Sequence, residues 1–228
     1  MSYFEKVTLY WLKTVLSEAN LPRLKNSGIG LFLNRINNAC VNSYDKKSID
    51  EIINDLLNNQ HISSCCGCRW KLFLSFAEFA IFHKQLIDFN EFIIKAEENA
   101  KQEKEMWRIC WAISQIAFRY ALAGMDLKAQ NAIEYCLDLL AKNSHTMETY
   151  KFAWSIIPPI LSAGILKISK NENTEKWEKY LSTVKTFLLE ECKTSHLKFS
   201  SISFNNLKEL NLRTLDELYF SLLKIYKY

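Results

Sequence analysis

The sequence predicts an all-α protein, an irregular α-solenoid of stacked antiparallel helical hairpins, and three observations carry that expectation. Gly and Pro are scarce, at 5 and 3 among 228 residues, well under their ordinary usage of roughly 7% and 5%. Residues 68–123 contain neither, whereas an all-β chain needs a turn residue about every 8 to 12 positions. Apolar residues recur at helical spacing rather than in alternation through most of the chain. Finally, Ala123-Gly124 returns forty residues later as Ala163-Gly164, each pair closing a Trp-containing apolar stretch. An echo at such a period points to repeated helical hairpins.

The expected organisation is one helical domain over 1–228. It comprises N-terminal helices in 1–62, about three hairpins in 69–192 and a C-terminal capping helix in 205–228. Ser2-Tyr-Phe-Glu5, Ser48-Ile-Asp-Glu51 and Thr214-Leu-Asp-Glu217 each fit a capping box, in which hydroxyl and carboxylate reciprocally satisfy the orphan N–H groups of a helix start. After the first box, Phe4, Val7, Trp11, Leu12 and Val15 share a helical face, and Pro22 closes the segment. After the second, Ile49, Ile52, Ile53, Leu56 and Leu57 do the same. After the third, Leu215, Leu218, Tyr219, Leu222 and Tyr226 form a terminal amphipathic helix.

The middle of the chain alternates two kinds of helix. Arg69 to Lys84 is apolar over most of its circumference, which requires neighbours on more than one side. The helix from Asn90 shows a single stripe of Phe89, Phe92, Ile93, Ala96 and Ala100 with a charged opposite face. Trp107 to Ala123 is again nearly all apolar, with Arg108, Gln115 and Arg119 on one narrow polar stripe at i, i+7 and i+11. Gly124 stops it, and a second one-sided helix follows over about 127–142 with Ala129, Ala132, Ile133, Cys136, Leu137 and Leu140 inward. Asp138 and Lys142 are spaced to pair on its outer face. Enclosed helices alternating with one-sided helices are what a stacked hairpin array produces.

Within the pair over 107–142, Ile116, Ala117, Tyr120, Gly124, Ala129, Ile133 and Cys136 follow a large, small, aromatic, Gly, Ala, large, small series. That series resembles the tetratricopeptide (TPR) repeat, whose small residues let the two helices of a hairpin approach closely. The resemblance covers one unit of roughly 34 residues. It implies a TPR-like or HEAT-like helical repeat. Ile113 stands where the family usually has Trp and Ala141 where it often has Pro, and the step between units is 40. The following unit carries Pro158-Pro159, which would remove a helical hydrogen bond and kink its first helix.

Composition narrows the functional classes. A net charge of +4 is spread along the chain without a basic arm or acidic tail, so nucleic acid is a disfavoured partner. The longest uncharged run, Phe152 to Leu166, is 15 residues and contains two prolines, short of the ~20 a bilayer span needs. The N-terminus lacks the order of a secretory signal, so a cytoplasmic location is expected. Seven cysteines in that setting read as thiols.

Chemical motifs are few. The densest is His61-Ile-Ser-Ser-Cys65-Cys66-Gly-Cys68. One His and three Cys could supply the four ligands of a structural zinc ion, but zinc knuckles separate paired cysteines by two residues or more. The adjacency of Cys65 and Cys66 and the tight Cys66-x-Cys68 step therefore favour ordinary thiols at a helix start over zinc or a redox or lipidated group. His61, His83, His145 and His196 form no His-x3-His pair, and neither a nucleophile elbow nor a phosphate-binding loop occurs. No catalytic residue and no cofactor is expected. The expected function is non-catalytic: a protein interaction or regulatory scaffold whose helical groove holds another protein or peptide. Arg108, Gln115 and Arg119 would line that groove, and two guanidinium groups would suit an acidic peptide. The competing class is a helical enzyme, or a small-ligand or metal-binding protein, with a pocket that one sequence does not display.

Overall fold

The computed structural model describes residues 34–142 and, beyond them, 159–160, 163–164, 167, 175–180 and 182–183. Every regular element among the described residues is helical, and no helix among them is long and apolar enough to cross a membrane. The predicted helix starts at Ser2 and Thr214 lie outside the described residues. Two compact units, Met1–Glu105 and Met106–Tyr228, divide the chain.

In the first unit a short π-helical segment, Asn37–Asn42, precedes helices α1 (Lys46–Leu57), α2 (Gln60–Ser64), α3 (Cys66–Phe82) and α4 (Leu86–Ala100). Helix α1 starts one turn earlier than its capping box suggested. Asp45 is the N-cap, its carboxylate accepting from the N–H groups of Lys47 and Ser48, and Ser48 is a helical residue that donates its hydroxyl to the same carboxylate. A charged acceptor outcompetes a hydroxyl at the positive end of a helix. The Ser48 hydroxyl and N–H bonds in turn hold the Asp45 carboxyl below its ordinary range. Ile49, Ile52, Ile53 and Leu56 are buried as expected, while Leu57 is half-buried.

Helix α3 begins three residues before the expected Arg69 because Cys65 caps it. Its residues are buried without a break from Trp70 through Ala80. Charged and polar side chains in that run, Lys71, Ser75 and Glu78, are buried with the rest. Helix α4 supplies one wall through the expected stripe of Phe89, Phe92, Ile93, Ala96 and Ala100, all fully buried. Phe76 and Phe92 meet across the hairpin at 6.0 Å between ring centroids, a tilted pair of the kind aromatic quadrupoles favour. Lys46 joins α1 to α4: its ammonium lies 2.6 Å from Asp50, 3.4 Å from Glu91 and 5.1 Å from the Phe92 ring centroid. The π-helical segment is tied on by His83, whose Nε2 lies 2.6 Å from the Cys40 carbonyl oxygen.

The second unit contains α5 (Met106–Leu122) and α6 (Asp126–Lys142). Its hairpin repeats the first at a step of forty. Cys66 and Met106 open the enclosed helices, Phe82 and Leu122 close them, and Leu86 and Asp126 open the one-sided partners. The turns match bond for bond. Gln85 N–H donates to the Ala80 carbonyl and Lys84 N–H to Ile81, while Met125 N–H donates to Tyr120 and Gly124 N–H to Ala121. This is the Schellman arrangement, which needs a left-handed residue after the helix. Gly124 provides it at φ +76°, and Lys84 provides it at φ +60°. The first hairpin therefore keeps the turn geometry although it lacks the glycine.

The echo that suggested the period is only half right. Ala163 and Gly164 are helical and buried, as is Lys167, so this second glycine does not close a helix as Gly124 does. The forty-residue step holds instead between Lys84 and Gly124. Around α6, Ala129, Ile133 and Cys136 are fully buried, and Asp138 and Lys142 are exposed. The Lys167 ammonium, 1% exposed, sits 2.6 Å from the Asp126 carboxylate at the first residue of α6. Trp177 is fully buried and meets Tyr180 edge to face at 5.6 Å. The Tyr180 hydroxyl donates to Glu134 at 2.6 Å, and Lys176 reaches both Gln130 and Glu134.

Candidate functional site

The junction of α2 and α3 concentrates the chemistry of the described residues. Asn59 caps α2 through its side-chain oxygen, and the five-residue helix ends at Cys65, whose N–H bonds back to the carbonyls of His61 and Ile62. Cys65 is extended, at φ −101° and ψ 105°, so the same residue ends one helix and caps the next. Its sulfur accepts the Cys68 N–H at 3.3 Å. His61 lies one turn before Cys65, and Cys68 lies in the first turn of α3. Their ligand atoms, one imidazole nitrogen and two sulfurs, all fall within 4.8 Å of one another. His61 is exposed, Cys65 is half-buried and Cys68 is 1% exposed.

Cys66 does not belong to this group. Burial and the neighbouring Glu103 carboxylate, which bonds its side chain, push its thiol up from the ordinary range. The pairing that discouraged a zinc reading, Cys65 with Cys66, is therefore not the one the fold makes. The structure pairs Cys65 with Cys68, separated by the two residues that convergence of two sulfurs requires. The signal was present as His-x3-Cys-x2-Cys, masked by the intervening thiol.

A surrounding frame holds the junction. The Arg69 guanidinium reaches the Ser63 carbonyl of α2, Asn99 of α4 and Gln102 beyond it. Trp70 donates its indole N–H to Glu103 at 3.1 Å. Gly67 permits the close approach of that carboxylate, since a Cβ there would lie 2.8 Å from Glu103 Oε1 and 3.7 Å from the Cys65 sulfur. Sequence reasoning missed Glu103, which lies more than thirty positions from the residues it supports.

The predicted polar stripe of α5 separates in space. Arg108 is exposed, with its guanidinium 5.2 Å from the Trp107 ring centroid. Gln115 and Arg119 are buried, and the Gln115 side-chain oxygen accepts from Arg119 at 2.6 Å. Helical spacing placed the three on one line, but the enclosure of α5 submerges its C-terminal half. Only Arg108 of the three is exposed.

Exposed apolar surface lies elsewhere. Seven large apolar side chains are exposed among the described residues, and four of them, Phe82, Leu86, Ile87 and Ile94, fall at the tip and outer face of the α3–α4 hairpin. Ile87 is 86% exposed, and Ile94 follows it two turns later on the same face. No protein-family model, curated relative or solved structure matches the chain.

Proposed function

We propose that the protein is a non-catalytic interaction module of the cytoplasm, a helical repeat of TPR-like character that docks another protein. The observation that carries this reading is the exposure of four large apolar side chains, Phe82, Leu86, Ile87 and Ile94, on one hairpin. Soluble surfaces scatter single apolar residues, whereas several on one hairpin, rimmed by charge, suit a contact surface. Lys84, Glu91, Lys95 and Glu98 supply such a rim in the sequence around it. The forty-residue recurrence of α3–α4 in α5–α6 supports the repeat character, because repeated hairpins are a common platform for protein docking. The partner that suits this surface presents an apolar strip with mixed charges at its edges. Arg108 is exposed and offers a guanidinium to an acidic side chain at a separate point of contact, and Gln115 and Arg119 serve packing within α5.

The test is photo-cross-linking in the native host with a benzophenone side chain at position 87 and, for comparison, at exposed position 104. A discrete adduct from position 87 that is absent from 104 and abolished by Ile94→Asp is the expected result. Equal labelling from both positions would sink the reading. An adduct at twice the chain mass would identify the partner as a second copy.

A further inference from the structure

We propose that His61, Cys65 and Cys68 are ligands of a zinc site. Thiolate sulfur and imidazole nitrogen suit a borderline-soft ion, whereas calcium and magnesium demand oxygen ligands. With Zn–S near 2.3 Å and Zn–N near 2.0–2.1 Å, a tetrahedral ion separates its ligands by roughly 3.5–3.8 Å. The three donor atoms already lie within 4.8 Å of one another, so rotation of the side chains by about 1 Å of travel closes the site and the backbone need not move.

The helix start places positive partial charge beside the sulfurs. Cys65 caps the seventeen-residue α3, where the unsatisfied N–H groups concentrate positive partial charge. The Cys68 N–H already points at its sulfur. Two thiolates and a neutral imidazole balance the charge of the ion, which a half-buried site requires. Among the described residues no further His, Cys, Asp or Glu joins the group. His61 is exposed and Cys68 is buried, so the group lies at the edge of the first unit.

The site also has a mechanical consequence. Helix α2 has five residues, too few to be stable alone. An ion held by one ligand from α2, one from the junction and one from α3 would staple the short helix onto the long one. Binding displaces protons from the thiols, so affinity must fall as the medium is acidified.

The experiment uses the full chain, purified under reducing conditions, stripped with a chelator and titrated with zinc and with cobalt. One equivalent should bind, and cobalt should develop the thiolate charge-transfer absorption and the strong visible bands of a tetrahedral ion. Cys65→Ser and Cys68→Ser should each weaken binding by more than the roughly 100-fold that loss of an outer support costs, while Cys66→Ser should leave stoichiometry and spectrum intact. Zinc should protect Cys65 and Cys68 of the unsubstituted chain from alkylation, read by peptide mass spectrometry, which keeps the test valid should a variant fail to fold. Binding that survives loss of both Cys65 and Cys68, or equal dependence on Cys66, would overturn the proposal. So would a Cys65–Cys68 disulfide that forms in place of metal under the same reducing conditions.

Discussion

The hairpins α3–α4 and α5–α6 have the same frame and different fillings. Their helices start and stop at the same step of forty residues and their turns make the same two backbone bonds. Position for position, however, Phe76 of α3 becomes Ile116 of α5, Ser75 becomes Gln115 and Phe79 becomes Arg119, all buried. At these positions the first interior carries two phenylalanines and a serine, and the second carries a guanidinium with its acceptor. A repeated backbone therefore constrains where side chains are enclosed but not their chemistry.

Replacing large aromatics tests the first interior. Phe76→Ala should cost about 4 kcal/mol, since it empties a fully buried site facing Phe92. A loss below 1 kcal/mol in urea unfolding would show that the hairpin is not closely packed there.

The polar interior is tested at Gln115. Gln115→Leu should cost about 2 kcal/mol, because a buried guanidinium loses its 2.6 Å side-chain acceptor. The corresponding Ser75→Ala should cost about 0.5 kcal/mol, as that hydroxyl bonds the Lys71 carbonyl of its own helix. Equal losses at the two positions would erase the contrast between the interiors.

The turns offer a pair of changes with opposite sign. Gly124→Ala meets no atom within 4 Å, so its cost of about 1 kcal/mol comes from the left-handed backbone alone. Lys84→Gly should recover slightly less than that amount, offset by the greater freedom of glycine in the unfolded chain. Thermal midpoints of the two variants should move in opposite directions, and movement in the same direction would contradict the shared turn geometry.

The smallest expected effect is acid sensitivity. Each unit holds a glutamate below its ordinary range: Glu91 through its bond from Lys95, and Glu134 through its bonds from the Tyr180 hydroxyl and Lys176. A lowered carboxyl contributes stability above its unfolded value, near 4.3, and loses it as pH falls through the folded value. Glu134→Gln should therefore flatten the stability of the second unit between about pH 5 and pH 3. Amide exchange in α3, read by peptide mass spectrometry, reports the first unit and should follow the parent profile; a matching change there would refute separate contributions.

Much of this was legible in the chain because helical periodicity is a local property. The stripe Phe89, Phe92, Ile93, Ala96 and Ala100 was readable from spacing and is buried residue for residue. The enclosed character of α3 and α5 followed from apolar residues around the whole circumference, and Gly124 marked its turn correctly. The candidate site was only partly legible. Cysteine and histidine were visible as a cluster, but choosing Cys68 over Cys66 as the partner of Cys65 depends on where a capping residue turns its sulfur and on Glu103 claiming the intervening thiol.

Residue spacing was enough to define the helices over 46–142 and their buried faces, since each depends on residues within a few turns of one another. Tertiary structure alone decided that Lys84 adopts the turn conformation of Gly124, that Gly164 remains helical, and that Arg119 is enclosed while Arg108 is exposed. It also decided that three donors separated by loop and helix converge at one junction. Those outcomes depend on which distant surfaces exclude water from a position, and no local pattern of residues carries that information.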